Sequence, residues 1–182
     1  MEDIVVFSGS AHRELAASIC RCARVDLSPV GISRFSNDCL QAQLLVNVRQ
    51  RDVYIVQPLV PPTQDHLMEL LLMVQAAKSA SAAQVTAVIP HYSYARSDKK
   101  DASRISVGGR LVADLLVTAG VDRVLTMQLH SPQVQAFFSV PVDQLTALGV
   151  LADHYRGACE DAVVVSPDFG NAKSASNFAR LL

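Results

Sequence analysis

The sequence predicts an α/β fold with a mostly parallel sheet flanked by helices. Three observations carry that expectation. Short apolar runs rich in Val and Ile recur along the chain. Patterns of helical period, about ten residues or longer, separate most of them, which suits βαβ crossovers. Three of the apolar runs end in polar segments, HYSYARSDKK, QLHS and SPDFGNAK. In a parallel sheet such segments leave the carboxyl ends of strands and gather on one edge.

The elements follow in order. DIVVF (3–7) reads as a strand, Ser8-Gly9-Ser10 as a turn, and AHRELAASICRC as a helix. GISRF and CLQAQLLV read as two strands, the second with partial alternation, and DVYIVQPL (52–59) as a more apolar one. Pro61-Pro62 interrupts the chain, and Thr63 is placed to cap a helix over about 64–82. Leu67, Leu70, Leu71, Val74 and Ala77 recur there at helical spacing. QVTAVIP is the next strand. Ser106 is placed to cap VGGRLVADLLVTA, which Gly120 ends. DRVLTMQLH reads as a strand with a polar tip, SPQVQAFF as a short helix, VLADHYRG as a helix, AVVVSPD as a strand and GNAKSASNFARLL as a helix. After residue 146 one helix, one strand and one helix are too little to bury a core of their own. The expected division is therefore a domain over 1–146 and an incomplete second domain beginning at 147–182.

Composition limits the function classes. Half of the 182 residues are hydrophobic, 18% are charged and the net charge is −1. A sizeable core can form, and any anion site must be local rather than a property of the whole surface. Cys20, Cys22, Cys39 and Cys159 form neither zinc spacing nor a disulfide framework, which favours reduced thiols in the cytoplasm. The start, MEDIVVFSGS, is acidic with a short apolar run, unlike a signal peptide or membrane span.

The segment HYSYARSDKKDASR (91–104) admits three readings. Arg96, Lys99, Lys100 and Arg104 are cationic, and Asp98 and Asp101 moderate them. The segment suits a phosphate grip, a nucleic-acid patch or a solvated loop with surface ion pairs, although a polynucleotide demands a longer and purer basic surface. His130 ends an apolar strand and could bind metal, shuttle a proton or serve structure. Asp168 is its natural carboxylate partner, and the pair could hold magnesium; otherwise Asp168 is a helix cap. Asp168-Phe169-Gly170 spells the magnesium tripeptide of protein kinases, but no other kinase motif accompanies it. In FSNDC (35–39), Phe35 could stack on a base while Asn37 and Asp38 address its edge, or the segment is a hairpin turn.

Four segments together resemble one family. FSGSAH, RFSND, VIPHYSYARSDKKD, and MQLHSPQVQAFFSVPVD followed by VVSPDFGNAK occur in the order seen in ribose-phosphate diphosphokinases, also called phosphoribosyl pyrophosphate synthetases. DHLMELLLMVQAAKSASA resembles that family's long helix, and the similarity covers essentially the whole chain.

The resemblance implies two phosphoribosyltransferase-like (type I) α/β domains, assembled as hexamers of dimers. It implies Mg2+-dependent transfer of the diphosphoryl group of ATP to the C1 hydroxyl of ribose 5-phosphate, with AMP released. Phe35 matches the adenine-stacking position. Asn37, Asp38 and Cys39 match the base-reading segment, supplied across a subunit interface. Arg96, Ser97 and Asp101 match the ATP-binding segment, with Arg96 on phosphate. His130 and Asp168 match magnesium-linked catalytic positions, Asp168 near the ribose. Arg49, Ser103 and Arg104 lie near a regulatory phosphate site of many members. The chain departs from the family pattern at Cys39 (usually Glu), Ser97 (often Gln) and Gln128 (often Asp). The ribose-phosphate loop and the flexible catalytic loop are not in these 182 residues. This stretch alone is therefore expected to lack synthetase activity, and the alternative is a non-catalytic associated subunit.

Overall fold

In the computed structural model, residues 3–157 and 162–182 are described. Cys159 lies outside them. The chain divides into two compact units, 1–144 and 145–182.

The first unit is built on a five-stranded sheet in the order β1 (Ile4–Ser8), β4 (Asp52–Val56), β5 (Gln84–Ile89), β6 (Arg123–Met127), β7 (Val142–Leu145). β1, β4, β5 and β6 pair in parallel. The parallel α/β fold expected from the alternating runs is present. Strand β7 was not among the expected elements; its short run, VDQL, has little apolar character.

Strands β1, β4 and β5 are apolar on both faces because helices cover both. Val5, Phe7, Val53, Ile55, Val85, Ala87, Ile89 and Val124 face one core, which includes Leu70, Met73 and Val74 of α2 (Thr63–Ser79) and Leu116 of α3 (Gly108–Ala119). Val6, Val56 and Val88 face the other, with Ala16 and Cys20 of α1 (Arg13–Ala23). Alternate strand residues thus serve opposite layers, as the pleat requires. Burial pushes the Cys20 thiol pKa up, and Asp26 adds to this, so it behaves as an apolar core group.

β2 (Val30–Arg34) and β3 (Leu40–Leu44) form a separate antiparallel hairpin, with β3 lying against α2. The hairpin explains the half-alternating pattern of CLQAQLLV. One face packs through Leu44 and Ala42, while Gln41 and Gln43 are exposed.

Four local expectations are corrected. Thr63 lies inside α2 rather than capping it, and Pro62 holds the N-cap position without a side-chain bond. The helix ends at Ser79, because Ser81 turns left-handed (φ 65°) and the Ser81 and Ala82 N–H groups close on Lys78 and Ala77 carbonyls. Ser106 does not cap α3 either; a distant side chain does, as described below. AVVVSPD forms no strand, and Val163 and Val165 are exposed. A strand needs a neighbour for its backbone groups, and the described residues of the second unit supply none.

That second unit contains α4 (Leu148–Tyr155) and α5 (Ala172–Ala179). Tyr155 and Phe178 meet edge-on at 6.4 Å, and Arg156 donates to the Leu181 carbonyl at 3.2 Å.

Candidate functional site

Because β5 and β6 are parallel neighbours, their outgoing segments leave the same sheet edge. This places Arg96 and His130 on adjacent tips. The β1 turn and the end of β4 share that edge.

After β5 the chain makes a 3-10 turn, Ser93–Arg96. Its position is fixed from several sides. The Ser93 hydroxyl donates to the Leu59 carbonyl. Tyr92 is buried, meets Phe138 edge-on at 5.8 Å, and donates its hydroxyl to the Gly109 carbonyl at 2.8 Å. Burial, with a smaller contribution from Asp114, raises the Tyr92 pKa, so the phenol stays a donor.

Ser97 then closes the turn against α3. Its Oγ accepts the Gly108 N–H at 2.8 Å, and its carbonyl accepts the Gly109 N–H at 2.9 Å. The helix N-terminus is thus capped from eleven residues upstream, where Val107 offers no polar group. Gly108 and Gly109 permit the approach. A Cβ on Gly108 would lie 2.8 Å from the Tyr94 ring, and one on Gly109 would lie 3.0 Å from the Tyr94 carbonyl oxygen. Ser97→Ala is expected to cost about 1 kcal/mol in urea unfolding. An unchanged midpoint would remove the capping role.

Between those pinned ends, residues 98–107 form an irregular loop. Arg96, Lys99, Lys100, Asp101, Ser103 and Arg104 are exposed on it or beside it, and Arg104 is left-handed (φ 62°). Among the described residues, the ion pairs all lie elsewhere. The loop's own Asp98 and Asp101 therefore do not neutralise its cations. A loop stitched by surface ion pairs is not what forms; the cationic groups remain available to an anion.

The β2–β3 tip carries Phe35, Asn37, Asp38 and Cys39, all exposed. Phe35 N–H donates to the Cys39 carbonyl and Asp38 N–H to the Phe35 carbonyl, with Asp38 left-handed (φ 70°). This is a three-residue hairpin loop with a left-handed last residue. The Phe35 ring is 53% exposed. Asn37 Oδ1 accepts the Cys39 N–H at 3.2 Å, which leaves the Asn37 amide N–H groups outward as donors. The Asp38 carboxylate is held by Arg34.

His130 follows β6 and is exposed, just beyond Gln128, which is left-handed (φ 49°). Asp168 belongs to the second unit, where its carboxylate caps the turn at Phe169–Asn171 by accepting the Asn171 N–H at 2.9 Å. Among the described residues no three His, Cys, Asp or Glu side chains gather into a metal cage. His130 and Asp168 each offer a single exposed donor within their own unit. The carboxylate of Asp168 is the oxygen type that magnesium prefers, whereas the imidazole of His130 is a softer donor. Arg49 precedes β4 and so lies at the amino-terminal edge of the sheet, opposite the edge that carries Ser103 and Arg104. One copy of the chain does not join the three.

Sequence reasoning missed a buried polar network at the same edge. The Glu69 carboxylate, 5% exposed, accepts from Ser10 N–H at 2.9 Å, Ser10 Oγ at 2.7 Å and Gln57 Nε2 at 2.9 Å. Gln57, fully buried, also donates to the His66 carbonyl and accepts the Ala11 N–H. The partners are 9 to 59 residues apart, so no local pattern announces them.

With this geometry in view, known proteins are informative. A family model described as the N-terminal domain of ribose phosphate pyrophosphokinase matches residues 4–120. The chain belongs to the ribose-phosphate pyrophosphokinase family. It is 64% identical to a relative from Streptomyces coelicolor over 183 residues, covering 100% of this chain and 58% of that protein. It is 55% identical to the ribose-phosphate pyrophosphokinase of Deinococcus radiodurans, covering 98% of this chain and 57% of that protein. The crystal structure of phosphoribosylpyrophosphate synthetase from Mycobacterium smegmatis superposes with a TM-score of 0.92 at 39% identity, over 98% of this chain and 60% of that one. The chain thus spans somewhat over half the length of its relatives. The family expected from FSGSAH, RFSND, YARSDKKD and SPDFGNAK is the family found. No helix among the described residues is long and apolar enough to cross a membrane.

Proposed function

We propose that this chain supplies the ATP-holding part of a ribose-phosphate pyrophosphokinase of the cytoplasm, serving nucleotide biosynthesis. The reaction is attack by the C1 hydroxyl of ribose 5-phosphate on the β-phosphorus of ATP, giving phosphoribosyl pyrophosphate and AMP. The observation that carries this reading is Arg96: an exposed cation with no ion-pair partner among the described residues, on a turn fixed at the carboxyl end of a buried strand.

Diphosphoryl transfer asks for positioning and charge stabilisation more than for covalent catalysis. Arg96 is suited to hold two phosphate oxygens at once, which fixes the reacting phosphorus and disperses charge that grows on its oxygens. Phe35 stacks on the adenine, and the Asn37 amide donates to a ring nitrogen. Ser97 acts mainly by holding the turn, and Asp101 lies on the irregular loop beside the grip. Magnesium, when bound, neutralises polyphosphate charge. His130 and Asp168, each in its own unit, are the residues that would hold it, Asp168 on the ribose side. Copies of the chain assemble so that the hairpin of one reads the base held by another. A regulatory phosphate site using Arg49, Ser103 and Arg104 also needs more than one copy, since a single copy keeps them on opposite edges.

Titrating ATP with magnesium into the chain tests the reading. Saturable binding that competes with inorganic tripolyphosphate is expected. No ATP binding, or tight salt-sensitive binding of DNA in its place, would overturn it.

A further inference from the structure

Arg34 ends β2 immediately before the hairpin tip, and it joins three acceptors in two elements. Nη1 donates to Asp38 Oδ1 at 2.6 Å and to the Asp38 carbonyl at 3.2 Å. Nη2 donates to Asp65 Oδ2 at 2.6 Å, in the first turn of α2. One planar guanidinium therefore ties the tip to itself and to a helix packed on the sheet core.

The tip needs such a tie. Asp38 is left-handed, where glycine pays no steric penalty and an aspartate does. Arg34 holds both the side chain and the carbonyl of that residue, compensating for its unfavourable backbone. The remaining tip contacts are local, from Phe35 to Cys39. Among the described residues, Arg34 makes the side-chain hydrogen bond that joins the tip to α2, and without it the Phe35 ring and Asn37 amide lose their fixed place on the chain that presents them. Both ion pairs are solvent-exposed, Asp38 most of all, so their yield in global stability is small. Their consequence is placement.

We propose that Arg34 is a positioning residue for the nucleotide base, acting through Asp38 and Asp65 and touching no substrate itself. This rests on the nucleotide reading of the hairpin tip given above. It adds that base affinity is set by a guanidinium outside the base-contacting segment, and that α2 shares in it through Asp65.

The test compares ATP with inorganic tripolyphosphate, which has no base, on wild type, Arg34→Gln, Asp65→Asn and the double variant. The expected result is ATP binding weakened about three- to tenfold by either single change, with tripolyphosphate binding unchanged. The double variant should weaken ATP binding by less than the product of the singles, because both changes cut one tie. Wild-type ATP binding with no loss in Arg34→Gln overturns this proposal and leaves the nucleotide reading standing. Equal loss for ATP and tripolyphosphate also overturns it, because a role confined to the base cannot affect a baseless ligand. No ATP binding by the wild type overturns both.

Discussion

Gly9→Ala is expected to lower the free energy of unfolding by about 3 kcal/mol. The reason is space already filled. A Cβ on Gly9 would sit 2.2 Å from Gln57 Oε1 and 2.4 Å from Gln57 Cδ. Gln57 cannot easily swing aside, because it is fully buried and its amide is bonded to Ala11, His66 and Glu69. Moving it breaks those bonds and leaves a buried carboxylate without its amide donor. Gln57→Ala alone removes the same donor and opens a cavity, at about 2–4 kcal/mol. The double variant should cost clearly less than the sum, since truncation at 57 vacates the space that the new methyl needs. Urea unfolding of the four proteins measures this directly. Additive costs, or a Gly9→Ala cost within experimental scatter, would show that the β1 turn accommodates the methyl by another route.

Arg96→Ala should weaken ATP binding about 10- to 100-fold, the loss of a charge-assisted bidentate contact. Stability should hardly change, because among the described residues no ion pair or core contact depends on this exposed side chain. Arg96→Lys should fall between the two, since it keeps the charge and loses the fork. Tripolyphosphate affinity should follow ATP affinity in both variants, unlike the base-dependent loss expected at Arg34. Unchanged ATP affinity in Arg96→Ala would remove the phosphate role. Calorimetric titration at fixed ionic strength reads all of these outcomes, and fixed salt matters because a surface cation's contribution is screened.

Ser97 shows how sequence and structure divide the information. Its place beside Arg96 suggested a second ligand contact. The structure commits its hydroxyl to the Gly108 N–H, so its role in the fold is to hold the turn that presents Arg96. Ser106 has the right residue type and spacing for the α3 cap and does not serve, because a side chain packed from the previous turn already does. Asp168 was weighed as a helix cap or a site residue, and within its own unit it forms the cap. AVVVSPD has the composition of a buried strand and is not one, because strand formation depends on a partner that composition cannot supply.

The sequence by itself determined the parallel α/β class, the run of strands that bury both faces, the left-handed stop at Gly120 and the family. These depend on periodicity, on local backbone preference and on motifs read in order, all of which are one-dimensional. Tertiary structure alone decided the Glu69–Gln57–Ser10 network, the Ser97 cap and the tie from Arg34 to Asp65. Each joins polar groups far apart in the chain, at distances set by how the sheet and helices pack. A hydrogen bond requires donor and acceptor within about 3 Å, and only the folded core brings those groups that close.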